Sequence, residues 1–197
     1  MQRCVLILLL FWPVLTGSPV SAEKPDSHPG FKTGFSVGYG FQNGLGVSYE
    51  LRVLFTELQL IYPVKQYGNW LFEAVAFPQY NRVWYRYAVS QEELANGYEL
   101  GLNLGIRAGW LVGRSGSLLY AGGSIGPHYV SGVPQRQAPG FLFSDNLFAG
   151  VNIPLGRAFF ADLRVNFRHI SNAGLKRPNG GINNLVVFAG LLYTPIR

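Results

Sequence analysis

The sequence contains little cysteine and little charge. Cys4 is its single cysteine, and only 13% of the 197 residues are Asp, Glu, Lys or Arg, whereas a soluble domain usually carries about 25% charged residues. Because Cys4 lies in a segment that is expected to be removed, we expect neither a disulfide framework nor thiol chemistry. So low a charge is unusual for a soluble enzyme.

The common ligand-binding motifs are also missing. The three histidines have no metal-ligand spacing. The sequence has no phosphate-binding loop, no dinucleotide fingerprint and no basic run typical of nucleic-acid binding. It therefore predicts no metal, no cofactor and no nucleic-acid partner.

Long apolar runs are absent beyond the N-terminus. There, an apolar run of residues 4–15 follows Arg3 and precedes a Val-Ser-Ala cleavage site that ends at Ala22. The run is shorter than the roughly 20 residues of a membrane helix, and the pattern is typical of a secretory signal peptide. We predict a signal peptide at residues 1–22, with an uncleaved membrane anchor as the alternative.

The remaining residues, 23–197, suit a single domain. Their first part, residues 23–32, is polar and contains proline, which predicts a flexible lead-in. After it, strand-like alternation recurs without helical periodicity, in segments that are often longer than the five or six residues usual in soluble sheets. The eight predicted strands are 33–41, 47–62, 69–78, 97–112, 117–130, 141–153, 158–170 and 184–193.

The stretch YELGLNLGIRAGW, residues 98–110, shows the alternation most clearly. One face of this strand is continuously apolar and ends in Tyr98 and Trp110, while the other face is polar or small. A bilayer-crossing strand needs about 9–11 residues, and aromatic girdles mark both membrane interfaces. The sequence therefore predicts an all-β fold, an eight-stranded antiparallel transmembrane β-barrel of the outer-membrane type. A soluble β-sandwich is the alternative.

The same alternation assigns charged side chains to the barrel interior. An eight-stranded barrel is just wide enough for side chains to fill it, so these charges predict a structural ion-pair network rather than a pore. In the segment 47–62 the parity slips at Glu57, which predicts a β-bulge or a strand end near Thr56. The residues assigned to the lumen are Glu50, Arg52, Glu99, Arg107, Asp162, Arg164 and Arg168.

The links between the strands differ in length. Short turn signals separate several strands, but about 79–96, 131–140 and 171–183 are longer. All three follow odd-numbered strands, so they lie at one end of an up-and-down barrel. Because such barrels have short periplasmic turns and longer extracellular loops, we expect these links to be extracellular.

A polar pair stands at the end of the seventh strand. His169 continues the apolar, lipid-facing parity of Phe167, and Ser171 shares that face if the strand persists. Residues two apart on a strand are about 6.5–7 Å apart at Cα, close enough for an imidazole to activate a serine hydroxyl. The alternative is a pair of polar residues where a strand leaves the membrane.

The surrounding residues, RHISNAGLKRPNGGIN, resemble the signature of the PagL-type lipid A 3-O-deacylases. These are outer-membrane esterases with an eight-stranded barrel. The matching run is about 16 residues long, and elsewhere the likeness is architectural. The resemblance implies a serine esterase in the bacterial outer membrane that hydrolyses the ester-linked 3-hydroxyacyl chain at the 3-position of lipid A. Its expected partner is lipid A or lipopolysaccharide in the membrane, and a homodimer stays open.

The resemblance also assigns roles to the site. It implies that His169 is the general base, that Ser171 is the nucleophile, and that Asn172 and the Gly174 N–H stabilise the oxyanion. Lys176 and Arg177 lie in the same loop, where two cations can bind the phosphates of lipid A or can simply be solvated.

One position departs from the family pattern. Asn183 stands where members with a complete triad have a glutamate. An asparagine oxygen can still accept from the histidine and fix its tautomer, but it carries no full charge. We expect a competent but slower enzyme, with Asn183 or Asn184 orienting the histidine. A plain turn at these two residues is the alternative, and so is a non-catalytic structural or surface-interaction barrel. A small pore is a third and weaker interpretation.

Overall fold

The structure, a computed structural model, describes residues 30–42, 45–88, 90, 92–113 and 115–195. The predicted signal peptide and most of the predicted lead-in lie outside the described residues. The eight strands close into one antiparallel barrel in sequence order, and β1 pairs with β8. The prediction of an eight-stranded antiparallel barrel is therefore confirmed. The strands are β1 (Lys32–Phe41), β2 (Leu51–Tyr67), β3 (Trp70–Tyr85), β4 (Ala95–Val112), β5 (Ser117–Val130), β6 (Gly140–Pro154), β7 (Phe159–Ser171) and β8 (Ile182–Tyr193).

The two ends of the barrel differ. Residues 42–50, 86–94, 131–139 and 172–181 connect strands at one end, here called the loop end, whereas the links at the opposite turn end are short. All three long links predicted from the sequence lie at the loop end. The link predicted at 79–96 is shorter than expected because β3 continues to Tyr85, with its alternate residues still facing the interior.

The lumen is filled by paired charges toward its middle and turn end. Glu73 accepts from Lys32 Nζ and from Arg107 Nε, each at 2.7 Å. Further along, Glu57 pairs with Arg164, and Glu99 pairs with Arg168. These side chains are almost completely buried, so an ion-pair network occupies the interior, as the alternation predicted.

Two assignments to the lumen were wrong. Arg52 is exposed on the outer face of β2, and Glu50 is partly exposed at the loop-end rim. The cause is that the loop end of the lumen is apolar, so Leu51, Val53 and Phe55 face inward there. The residues of this apolar loop-end cluster are Leu51, Val53, Phe55, Val83, Val130, Val133, Leu142, Ile170, Ile182, Val186 and Phe188.

The expected irregularity at Glu57 was also wrong. β1 and β2 keep one register from Val53 through Glu57 to Ile61, and Glu57 faces inward with the same parity as Phe55. What changes at Glu57 is the chemistry of the lumen, from apolar to charged. The register shift of β2 against β3 lies instead between Pro63 and Lys65.

The outer face of the barrel is an apolar belt with aromatic residues at both ends. Trp70 and Trp110 contact each other edge to face near the turn end, with ring centroids 5.0 Å apart. Tyr98 and Tyr129 are neighbours near the loop end, at 6.1 Å. This arrangement matches the aromatic girdles of outer-membrane barrels. Within the described residues, no helix is long and apolar enough to cross a membrane.

Candidate active site

His169 and Ser171 are among the last three residues of β7, at the loop end of the barrel. Ile170 between them is buried in the apolar loop-end cluster, so the histidine and the serine point outward, and both are half-buried. Strand parity therefore places the pair on the outer wall, at the rim of the apolar belt.

The register fixes the neighbours of His169. It pairs with Asp145 on β6 and with Asn183 on β8, so three polar residues form a row across the outer wall. Side chains that face each other directly across antiparallel strands have Cβ atoms about 4.5–5.5 Å apart. The ring of His169 thus lies between a carboxylate and an amide.

Asn183 makes the direct contact. Its Oδ1 lies 2.7 Å from His169 Nδ1. Because an amide oxygen can only accept, the ring donates from Nδ1, which leaves the lone pair on Nε2. In this tautomer Nε2 can take a proton.

Asn183 is itself held through its backbone. Its N–H donates to the Tyr49 hydroxyl oxygen at 2.8 Å, and its carbonyl oxygen accepts from the Gln42 amide at 3.2 Å. Asn184 faces the lumen, where its amide donates to the carbonyl oxygen of Leu51. Of the two asparagines, only Asn183 therefore lies beside the histidine.

The loop that follows Ser171 is ordered around Asn172. This side chain is 2% exposed; its amide donates to the Lys176 carbonyl oxygen at 2.7 Å and its Oδ1 accepts from the Gly174 N–H at 3.0 Å. Ala173 and Gly174 both have positive φ angles, 52° and 82°, and Leu175 N–H donates to Asn172 O. These features describe a tight turn of type I′.

The turn has a consequence for the two oxyanion donors implied by the sequence. In this conformation the Gly174 N–H is occupied by the Asn172 side chain. One Asn172 amide proton is also used within the loop, and an asparagine amide has a second. Asn172 is thus the better placed of the two donors.

A second loop, residues 131–139, clamps the active-site loop. Ala138 N–H donates to Pro178 O and Gly180 N–H donates to Arg136 O, both at 2.8 Å. The buried Gln137 accepts from the Gly181 N–H through its Oε1 at 3.0 Å. Gly181 in turn lies against the His169 ring, so Gln137 supports the histidine through one glycine.

Three further aspects of the site bear on its chemistry. Lys176 and Arg177 are exposed on the active-site loop. No hydrogen bond joins Ser171 to His169 among the described residues, and such bonds are often long before substrate binds. Nor does any group of three or more His, Cys, Asp or Glu side chains in the described ranges lie where it can hold a metal ion.

Several residues of the site were not predicted from the sequence. Asp145, Tyr49 and Gln137 lie on other strands or loops and carry no local motif. Parity alone can place Asp145 on the outer face, but only the register of β6 against β7 brings it opposite His169.

The fold and the site together define a class, an outer-membrane β-barrel with a His–Ser pair on its lipid-facing wall. Within that class, the family model of the lipid A 3-O-deacylases (PagL) matches residues 54–191. The chain belongs to this family. No curated protein sequence matches it.

Three solved structures are similar to this chain at low identity, and the first of them supports the shared fold. The outer membrane enzyme PagL has a TM-score of 0.58 and 20% identity, over 84% of this chain and 99% of that one. OprG from Pseudomonas aeruginosa has a TM-score of 0.48 and 14% identity, over 87% and 99% of the two chains. Neisserial surface protein A has a TM-score of 0.49 and 13% identity, over 84% and 97%.

Proposed function

We propose that Ser171 is the nucleophile of this lipid A 3-O-deacylase and that His169, held by Asn183, is its general base. Family membership supports lipid A 3-O-deacylation in the outer membrane, and therefore a hydrolase. The observation that carries the residue assignment is the His169–Asn183 hydrogen bond, on the same outer wall as Ser171. It presents a basic Nε2 beside a hydroxyl at the depth where a lipid ester lies.

The reaction follows from this geometry. Ser171 Oγ attacks the ester carbonyl carbon while its proton passes to His169 Nε2. The tetrahedral intermediate collapses, and the sugar oxygen leaves with that proton. Water, deprotonated by the same nitrogen, then attacks the acyl-enzyme; His169 returns that proton to Ser171 Oγ as the ester bond breaks and the 3-hydroxy fatty acid leaves. Each step moves one proton through one nitrogen, so no metal is required.

Oxyanion stabilisation falls to Asn172. Its second amide proton supplies the donor, and one positioned donor typically lowers the barrier by about 3 kcal/mol. The Gly174 N–H joins only if the turn opens and releases it from Asn172 Oδ1. Its participation therefore requires a movement of the active-site loop.

The assignment is tested with lipid A and purified protein in vesicles. Ser171→Ala should abolish release of the 3-hydroxy fatty acid, measured by mass spectrometry of the lipid, because no other group replaces the nucleophile. Ser117→Ala is the matched control, since Ser117 begins β5 at the turn end. Equal activity in the wild type and Ser171→Ala, or none in either, contradicts the assignment.

Three finer features are part of the proposal. Lys176 and Arg177 bind the phosphates of lipid A from the exposed side of the loop, so their removal should raise KM. The signal peptide is cleaved after Ala22, which the N-terminal residue of the mature protein tests. A homodimer stays a prediction, which cross-linking in the membrane tests.

A further inference from the structure

We infer that Asp145 is a positioning residue for the reaction. From β6 it supplies to His169 the negative charge that Asn183 does not carry. This inference rests on the proposed roles of His169 and Ser171. Three observations carry it: the anomalous place of Asp145 on the wall, its register opposite His169, and the neutral residue on the other side of the ring.

Asp145 is out of place for a lipid-facing wall. On the same face of β6, Phe141 is 53% exposed and Leu147 is 70% exposed. Asp145 stands between them and is exposed too. A carboxylate beside hydrocarbon is unfavourable and marks a functional position by default. Its place on this wall therefore calls for a partner or a role.

The register supplies the partner. Asp145 is the direct cross-strand neighbour of His169, so their Cβ atoms are about 4.5–5.5 Å apart. Within the described residues, no hydrogen bond or ion pair joins the two side chains, since His169 Nδ1 already donates to Asn183. The carboxylate thus acts through its charge rather than by fixing the tautomer.

The chemistry needs such a charge. When His169 takes the serine proton, the ring becomes an imidazolium, and Asn183 offers it only an amide dipole. At the membrane rim the effective dielectric constant is lower than in water, so a carboxylate on the neighbouring strand can stabilise the positive charge that develops on the ring in the transition state. The two functions of a triad carboxylate are then divided between two residues. Asn183 orients the His169 ring, and Asp145 supplies the negative charge.

The other ionisable groups around the ring do not supply this charge. On the loops near His169 they are the cations Arg136, Lys176 and Arg177 and the phenol of Tyr49, and β8 contributes the neutral Asn183. These cations oppose the positive charge that the ring gains during the reaction, which increases the need for a neighbouring carboxylate.

The test uses lipid A hydrolysis by the full protein in vesicles. Asp145→Asn should lower kcat by roughly ten- to a hundredfold and leave KM within about twofold. Glu93→Gln, an exposed acid in the 86–94 loop, is the control and should match the wild type.

A second variant separates position from folding. Asn183→Glu in the Asp145→Asn background restores a carboxylate to the ring from β8 and should recover most of the lost kcat. If Asp145→Asn behaves like Glu93→Gln, or the double variant stays as slow as the single one, the inference is overturned. A change in KM alone, with kcat unchanged, also overturns it and assigns Asp145 to the substrate head group. Should Ser171→Ala retain activity, the proposed function itself fails, which is a separate result.

Discussion

Gly181 leaves the space that the His169 ring occupies. Its φ is 63°, and a Cβ at this position would lie 2.5 Å from His169 Cε1. Gly181→Ala should therefore push the ring from Asn183 Oδ1 and lower kcat by about tenfold or more, because small misplacements of reacting groups are costly. The measurement is the lipid A assay, together with circular dichroism to show that the barrel forms.

The matched control is Gly46→Ala. Gly46 has nearly the same φ, 64°, but nothing lies within 4 Å of its added Cβ. Both variants carry the backbone strain of a left-handed residue, about 1 kcal/mol or more, and only Gly181→Ala contacts the histidine. Equal activities for the two variants would mean that the Gly181 contact does not position the ring.

For a single residue, the sequence predicts the face of the barrel on which its side chain lies, because that depends on one strand alone. Parity is sufficient to place His169 and Ser171 on the outer wall, because Ile170 between them is apolar and buried. Asp145 could not be paired with His169 in advance, since a partner across strands depends on register, and register depends on turns and packing elsewhere. The motif implies Asn172 and Gly174 as oxyanion donors, but it does not show that the Asn172 side chain occupies the Gly174 N–H, because that depends on which N–H groups the loop itself uses.

Strands β1, β3 and β4 are joined at Glu73, where Lys32 and Arg107 both donate. Glu73→Gln should lower the free energy of unfolding by about 3–5 kcal/mol, because removing one partner leaves two buried cations without a carboxylate. Urea unfolding in detergent micelles, followed by tryptophan fluorescence, measures the difference.

Glu50→Gln provides the comparison. Burial raises the pKa of the Glu50 carboxyl, but hydrogen bonds and charge attraction from Arg86 and Arg52 outweigh it and lower the pKa below its ordinary value. These pairs are largely solvated at the rim, so the substitution should change stability by about 1 kcal/mol or less. A loss as large as that of Glu73→Gln would show that burial does not set the cost.

Strand parity also explains where the element-level predictions held and where they were wrong. Side chains alternate between the two faces with a period of two in every strand, and this alternation is why all eight strands could be predicted. Glu50 and Arg52 were assigned to the wrong place because polar residues were expected to face inward along the full height of the barrel. At the loop end the opposite holds, because Leu51, Val53 and Phe55 face the lumen. No local sequence pattern distinguishes an apolar side chain that faces an apolar lumen from one that faces lipid.

The molecule as a whole closes its interior. The apolar loop-end cluster covers the paired charges below it, and a cavity in the lumen bordered by Glu57 and Arg164 has a volume of about 10 Å³, roughly the space of one water molecule. An acylated disaccharide cannot pass through such an interior. On the proposed assignment, the substrate therefore reaches His169 and Ser171 along the outer wall and not through the lumen.

Access from the membrane makes a kinetic prediction for mixed micelles of lipid A and an inert detergent. At constant bulk lipid A, added detergent should lower the initial rate in proportion to the mole fraction of lipid A in the micelle. The reason is that the protein and lipid A meet within the micelle surface. A water-soluble short-chain p-nitrophenyl ester is the control, since it reaches Ser171 from solution and its rate should not change with detergent. If the lipid A rate follows bulk concentration alone, the substrate does not arrive laterally, and the outward placement of the His–Ser pair serves another purpose.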